Sequence, residues 1–79
     1  MTKREYLESL GYKYYEEEDI YMQVFSNNNN DYLVIAYIDL NLNDFYIVPG
    51  AIYSQRNIDF TQIAFNNVKR DFEEIQKYD

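Results

Sequence analysis

Tyr32-Leu33-Val34-Ile35-Ala36-Tyr37-Ile38-Asp39, or YLVIAYID, is the stretch whose reading decides the fold. It is apolar on both faces and rich in Val and Ile, which marks a strand at the centre of a sheet. The residues before it, Asn27-Asn28-Asn29-Asn30-Asp31, read as a turn, because asparagine tolerates a left-handed backbone and hydrogen-bonds its own main chain. Residues 20–25 alternate, with Ile20, Met22 and Val24 pointing one way and Tyr21, Gln23 and Phe25 the other, as a strand requires. After the central strand, Asn41-Leu42-Asn43-Asp44 reads as a second turn. Residues 45–48 form a third strand closed by Pro49-Gly50, and residues 51–54 are left for a further short extended piece.

Helices flank these strands. Thr2-Lys3-Arg4-Glu5 matches a capping box, in which a threonine hydroxyl and a glutamate three residues on satisfy each other's backbone amides. Leu7 and Leu10 then share one side, and Gly11 suits a helix stop, so the spacing predicts a short helix over residues 3–10. Such a helix is too short to be stable alone and must dock. At the other end, Phe60, Ile63, Ala64, Val68, Phe72 and Ile75 recur at helical spacing. Asp59 as N-cap, Gln62 three residues on, and Ile58 with Ile63 as a hydrophobic staple predict a helix over residues 60–77. The expected architecture is α+β, one small domain over residues 1–79, in the order α-β-β-β-α: a three-stranded antiparallel meander with both helices packed on one face.

Composition narrows the chemistry. The 79 residues include no cysteine and no histidine. Disulfides are excluded, as are zinc, haem and iron–sulfur sites built on thiolate or imidazole, so no cofactor or metal is expected. A domain of this size buries only about 60–65% of the surface its unfolded chain exposes. Its stability must therefore come from a well-packed core, a second copy, or both. The formal net charge is −7, with 14 acids against 7 bases. Binding nucleic acid through its phosphates requires a basic face, which this chain cannot supply. An anionic membrane surface would repel it, and no secretory segment or apolar run near ~20 residues is present. The expected location is the cytoplasm.

Two motifs come close to a recognised chemistry and fail. Asp39-Leu40-Asn41-Leu42-Asn43-Asp44 opens like a calcium-binding EF-hand loop, with Asp39, Asn41 and Asn43 at positions 1, 3 and 5. Position 6, which needs glycine, is Asp44, and position 12, which needs a bidentate glutamate, is Gly50. The stretch reads as a hairpin turn. For catalysis only carboxylates, Tyr, Lys and Ser remain, with little room for a cleft. Gly11 and Gly50 are the only glycines, so there is no phosphate-cradling loop. A binding protein is expected, not an enzyme.

That leaves Tyr14-Tyr15-Glu16-Glu17-Glu18-Asp19-Ile20-Tyr21, where four consecutive acids lie between tyrosines. Charge steers association over distance, and aromatic rings supply affinity at contact. Tyr14, Tyr15, Glu16, Glu17, Glu18, Asp19 and Tyr21 are therefore candidate partner-binding residues, with Asp39 and Asp44 as a second patch. In size, charge, lack of Cys, His and Trp, and interleaving of rings and acids over residues 12–21, the chain resembles the small acidic inhibitors that phages and mobile elements direct against host nucleases. These include anti-CRISPR proteins, antirestriction proteins and uracil-DNA glycosylase inhibitors. The resemblance is one of overall character. It implies a DNA-mimic mode, in which the chain contacts no nucleic acid itself. It would occupy the basic nucleic-acid-binding surface of a host CRISPR effector, restriction enzyme or repair enzyme.

The alternative is a homo-oligomeric interaction module of phage or bacterial origin, in which an aromatic sheet face is the interface and the acids keep it soluble. Two helices cover one side of the sheet, and the aliphatic set Ile20, Met22 and Val24 is expected there. The other face would carry Tyr21, Gln23 and Phe25 with Leu33, Ile35, Tyr37 and Tyr46, covered by a target or a second copy. A one-residue slip in register exchanges the faces.

Overall fold

A computed structural model describes residues 1–52 and 54–79. The element order is α1 (Lys3–Ser9), β1 (Lys13–Tyr15), β2 (Ile20–Ser26), β3 (Leu33–Asp39), β4 (Asp44–Pro49) and α2 (Gln55–Ile75).

The predicted capping box begins α1. The Thr2 hydroxyl accepts from the Glu5 amide at 3.1 Å, and the Glu5 carboxylate accepts from the Thr2 amide at 2.9 Å. Leu10 is the C-cap and Gly11 follows with φ +98°, a left-handed conformation that glycine adopts without strain. The Gln23 amide, reaching across from β2, donates to the Leu10 carbonyl at 3.2 Å and so closes the helix end onto the sheet. Leu7 is fully buried and docks the helix.

The sheet has four strands, in the order β1-β2-β3-β4, where three were expected. The additional strand, β1, pairs antiparallel with β2 through Lys13↔Met22, Tyr14↔Tyr21 and Tyr15↔Ile20. Three residues are too few for alternation to show in the sequence. The acids that follow also look like a connecting segment, whereas they are the turn of a hairpin. The turn closes with the Asp19 amide on the Glu16 carbonyl at 3.3 Å, and Asp19 takes φ 53°. The other turns use asparagine in the same way, at Asn30 (φ 58°) and Asn43 (φ 53°). Ala51 and Ile52 belong to no strand, and the remainder of the extended piece expected there includes Tyr53, which lies outside the described residues.

Helix α2 starts earlier than predicted. Ser54, not Asp59, is the N-cap, and its hydroxyl accepts from the Asn57 amide at 3.3 Å. Asp59 sits inside the helix and accepts from the Gln55 side chain at 2.9 Å. Both Ser54 and Asp59 are good caps by residue type, and nothing in residues 55–58 breaks a helix, so the earlier cap adds a turn. Ile58 and Ile63 consequently form no staple and are both largely exposed.

Both helices pack on the same face of the sheet. Val34, Ala36 and Ile38 of β3, each 0% exposed, meet Ala64, Val68 and Ile75 of α2 and Leu7 of α1. The β2–β3 register, Tyr21↔Ile38, Gln23↔Ala36 and Phe25↔Val34, places Tyr21, Gln23 and Phe25 on this covered side. The β2 faces are thus the reverse of those expected. Tyr21 has the apolar bulk to serve as core, and the choice was made by the register of the Asn-rich turn rather than by residue type. Two polar pairs tie the layers together. The Tyr12 hydroxyl donates to the Asp71 carboxylate at 2.9 Å inside the core, and the Tyr32 and Thr61 hydroxyls meet at 2.6 Å.

Candidate docking site

On the uncovered face, side chains line up in rows across the strands. One row is Lys13, Met22, Tyr37 and Tyr46; the next is Val24, Ile35 and Val48; beyond it Ser26 pairs with Leu33. An antiparallel sheet with one wet face ordinarily carries polar residues there. This face is instead mostly apolar, and Val24, Leu33, Tyr46 and Val48 are each nearly half exposed. Tyr37 and Tyr46 stack with ring centroids 4.9 Å apart and planes 19° from parallel, which makes a flat aromatic surface at its centre.

The acidic residues gather at one end of the same sheet. In a meander the β1–β2 and β3–β4 turns emerge at the same end, so residues 16–19 and residues 40–43 are neighbours despite their separation in the chain. The contact is direct, with the Asn41 side chain donating to the Asp19 carboxylate. Asp19 also accepts from the Tyr14 hydroxyl at 2.7 Å. The Tyr14 and Asn41 hydrogen bonds both favour the charged form and hold its pKa below the usual carboxylate range. Asp39 accepts from the amides of Asn41 and Leu42 at 2.9 and 3.1 Å, and Asp44 accepts from the Phe45 amide at 2.8 Å. The loop with a partial EF-hand spacing is therefore a hairpin turn whose acids cap its own backbone.

Next to this end a groove of about 480 Å³ runs between the sheet residues Tyr15, Ile20, Met22 and Tyr37 and the turn residues Glu16, Glu17 and Glu18. Burial raises the pKa of the neighbouring Tyr46 phenol, and the nearby Tyr37, Glu18 and Asp39 raise it further. No family model, curated protein or solved structure matches the chain. The site is therefore read from its own residues.

Of the residues singled out in the sequence, Glu16, Glu17, Glu18, Asp19, Asp39 and Asp44 come together at one end, with Tyr15 exposed beside them. Tyr14 lies on the covered side, half-buried, its ring 5.1 Å from that of Tyr21 and beneath the Arg4 guanidinium at 4.6 Å. Tyr21 is only 5% exposed and belongs to the core, so it offers no surface to a partner. Met22, Val24 and Val48 were not singled out as site residues, although they build much of the open face. The signal for Met22 and Val24 was the aliphatic alternation itself, assigned to the wrong side; Val48 was given no side. Among the described residues, no helix is long and apolar enough to cross a membrane.

Proposed function

We propose that this chain is a non-enzymatic acidic binding protein that docks on a basic nucleic-acid-binding surface of another protein and blocks access to it. The observation that carries this reading is the convergence of two acidic turns, residues 16–19 and 40–43 with their flanking Asp39 and Asp44, at one end of the sheet beside a tyrosine-lined groove. Hydrogen bonds fix the carboxylates of Asp19, Asp39 and Asp44 in place, which preforms part of a negative surface, and a basic groove built for duplex DNA is matched to a dense line of negative charge, one per ~1.7 Å of axis. The adjacent rings of Tyr15, Tyr37 and Tyr46 supply contact area of the kind that dominates interface affinity. The inhibitor reading, with a phage-borne chain acting on a host CRISPR effector, restriction enzyme or repair enzyme, rests on this chemistry and on the overall resemblance in size and charge.

The test is competition. A panel of purified nucleases of these three classes is assayed for binding to its own nucleic acid with the chain present, at low and at moderate salt. One member is expected to lose its nucleic acid, less so as salt rises, because exposed charges are screened beyond ~8–10 Å at physiological ionic strength. The combined Glu16→Gln, Glu17→Gln and Glu18→Gln variant is expected to compete at least ~10-fold less well. Competition indifferent to salt and to these substitutions, or none across the panel, overturns the proposal.

A further inference from the structure

We infer that the open sheet face receives an amphipathic, basic helix of the partner, lying across the strands with its apolar stripe on the Val24, Ile35 and Val48 row and the Met22, Tyr37 and Tyr46 row. The inference rests on the acidic-end reading above and names the chemistry of its occupant. The geometry comes from the rows. Strands ~4.8 Å apart place the outer strands of this sheet ~14 Å from one another, and successive same-face residues are ~6.6 Å apart along a strand. The two apolar rows thus form a band wide enough for one helix of ~10 Å diameter and long enough for between two and three turns. Helix α2 covers the opposite face of the same sheet and runs along β3, from Val34 beside Ala64 to Ile38 beside Val68 and Ile75, whereas the helix inferred here crosses the strands.

Charge selects the occupant. The row adjoining the apolar band is Tyr15 and Ile20 on β1 and β2, then the Asp39↔Asp44 pair on β3 and β4, with Glu16, Glu17 and Glu18 in the turn just beyond. The acidic edge therefore runs parallel to the apolar band. An amphipathic helix has the same layout, an apolar stripe with a parallel polar flank. Lysines and arginines on that flank would lie over the acidic row while the stripe covers the band. Among the described residues the face carries one cation, Lys13, at its β1 edge. A second copy of the chain fits less well, since each copy has a net charge of −7 and this face has only Lys13 to offset the partner's acids.

The probe is a synthetic Leu/Lys peptide of about 14 residues with leucines at helical spacing, compared with a scrambled peptide of the same composition. Binding is followed by amide chemical shifts of the whole chain, with Val24→Thr and Val48→Thr as variants that keep strand propensity and remove apolar surface. The amphipathic peptide is expected to bind at least ~10-fold more tightly than the scrambled one and to perturb residues 22–24, 35–37 and 46–48. It is also expected to lose that advantage in the double variant, whose unperturbed spectrum verifies its fold. Equal binding of the two peptides, or shifts confined to α2 around Ile58 and Phe65, overturns the inference. So does a chain that is dimeric by light scattering and becomes monomeric in the double variant, because a second copy then owns the face. Sensitivity to the three Glu→Gln changes without sensitivity to Val24 and Val48 removes the helix site and leaves the acidic end. The reverse pattern removes the acidic-end reading.

Discussion

Asp71 is an acid inside the core, 9% exposed, whose Oδ2 accepts from the Tyr12 hydroxyl at 2.9 Å. Burial raises its pKa above the ordinary carboxylate value, and the Tyr12 hydrogen bond and the Arg70 guanidinium oppose that shift only in part. A raised pKa in the folded state means that the folded chain holds this proton more tightly than the unfolded chain. The contribution to stability is therefore complete below the unfolded value of 3.8 and is lost as pH rises through the raised one. Asp71→Asn keeps an acceptor for Tyr12 and removes the charge. Compared with the wild type by urea unfolding between pH 3 and 8, it is expected to gain relative stability as pH rises. Tyr12→Phe leaves the carboxylate without its donor and is expected to cost about 1–3 kcal/mol at neutral pH. Equal pH profiles for the wild type and Asp71→Asn would show that the acid is solvated. Neither member of this pair is legible in the sequence, because no local pattern links a tyrosine near the acidic run to a charge on the last helix. They are 59 residues apart, and only the docking of α2 brings them together.

At the scale of elements, legibility followed local chemistry. The start of α1 was readable because a capping box is a four-residue signal, and its end because Gly11 is one of only two glycines. The start of α2 was misread because two competent caps, Ser54 and Asp59, lie within one stretch, and the choice between them depends on where the chain leaves β4. Replacing each in turn checks the assignment: Ser54→Ala is expected to lower stability by about 1 kcal/mol, and Asp59→Ala by under half of that, in thermal or urea unfolding. An equal or reversed order would restore Asp59 as the cap. Strand β1 was hidden for a different reason. Its three residues are held by pairing to β2 and by the hydrogen bonds of Asp19 to the Tyr14 hydroxyl and Asn41, which are partners a linear reading does not supply. The acidic site shared this fate in part: each acidic cluster was visible separately, the antiparallel β2–β3 pair sets the start of β2 beside the end of β3, and the unexpected fourth strand makes residues 16–19 a hairpin turn there.

Across the whole molecule, the sheet's two faces differ in what they are asked to do. The covered face is core: Ile38 is 0% exposed and packs in one cluster with Leu7, Val68 and Ile75. Ile38→Ala is expected to cost about 2–5 kcal/mol, against a total of roughly 4–12 kcal/mol for a chain of this length. Val24→Thr and Val48→Thr on the open face are expected to stay within about 0.5 kcal/mol of wild type. Urea denaturation of the isolated chain measures all three, and a large loss from the valine substitutions would mean that the open face is already covered in solution.

Strand order is also chain order, and this bears on how quickly the molecule assembles. Every strand pair is closed by a short connection, over residues 16–19, 27–32 and 40–43, with no crossover. Closing such loops takes well under a microsecond, and hairpins form in ~1–10 μs. The sheet can therefore grow by zipping from any of its three turns, with little loop-closure entropy to overcome before contacts reward it. The late event is expected to be the arrival of α2, since its contacts with Leu7 and Tyr12 span most of the chain. Until it docks, the partly formed sheet exposes apolar side chains on both faces. During that interval the net charge of −7, with the acidic turns part of it, is expected to oppose the joining of two such sheets.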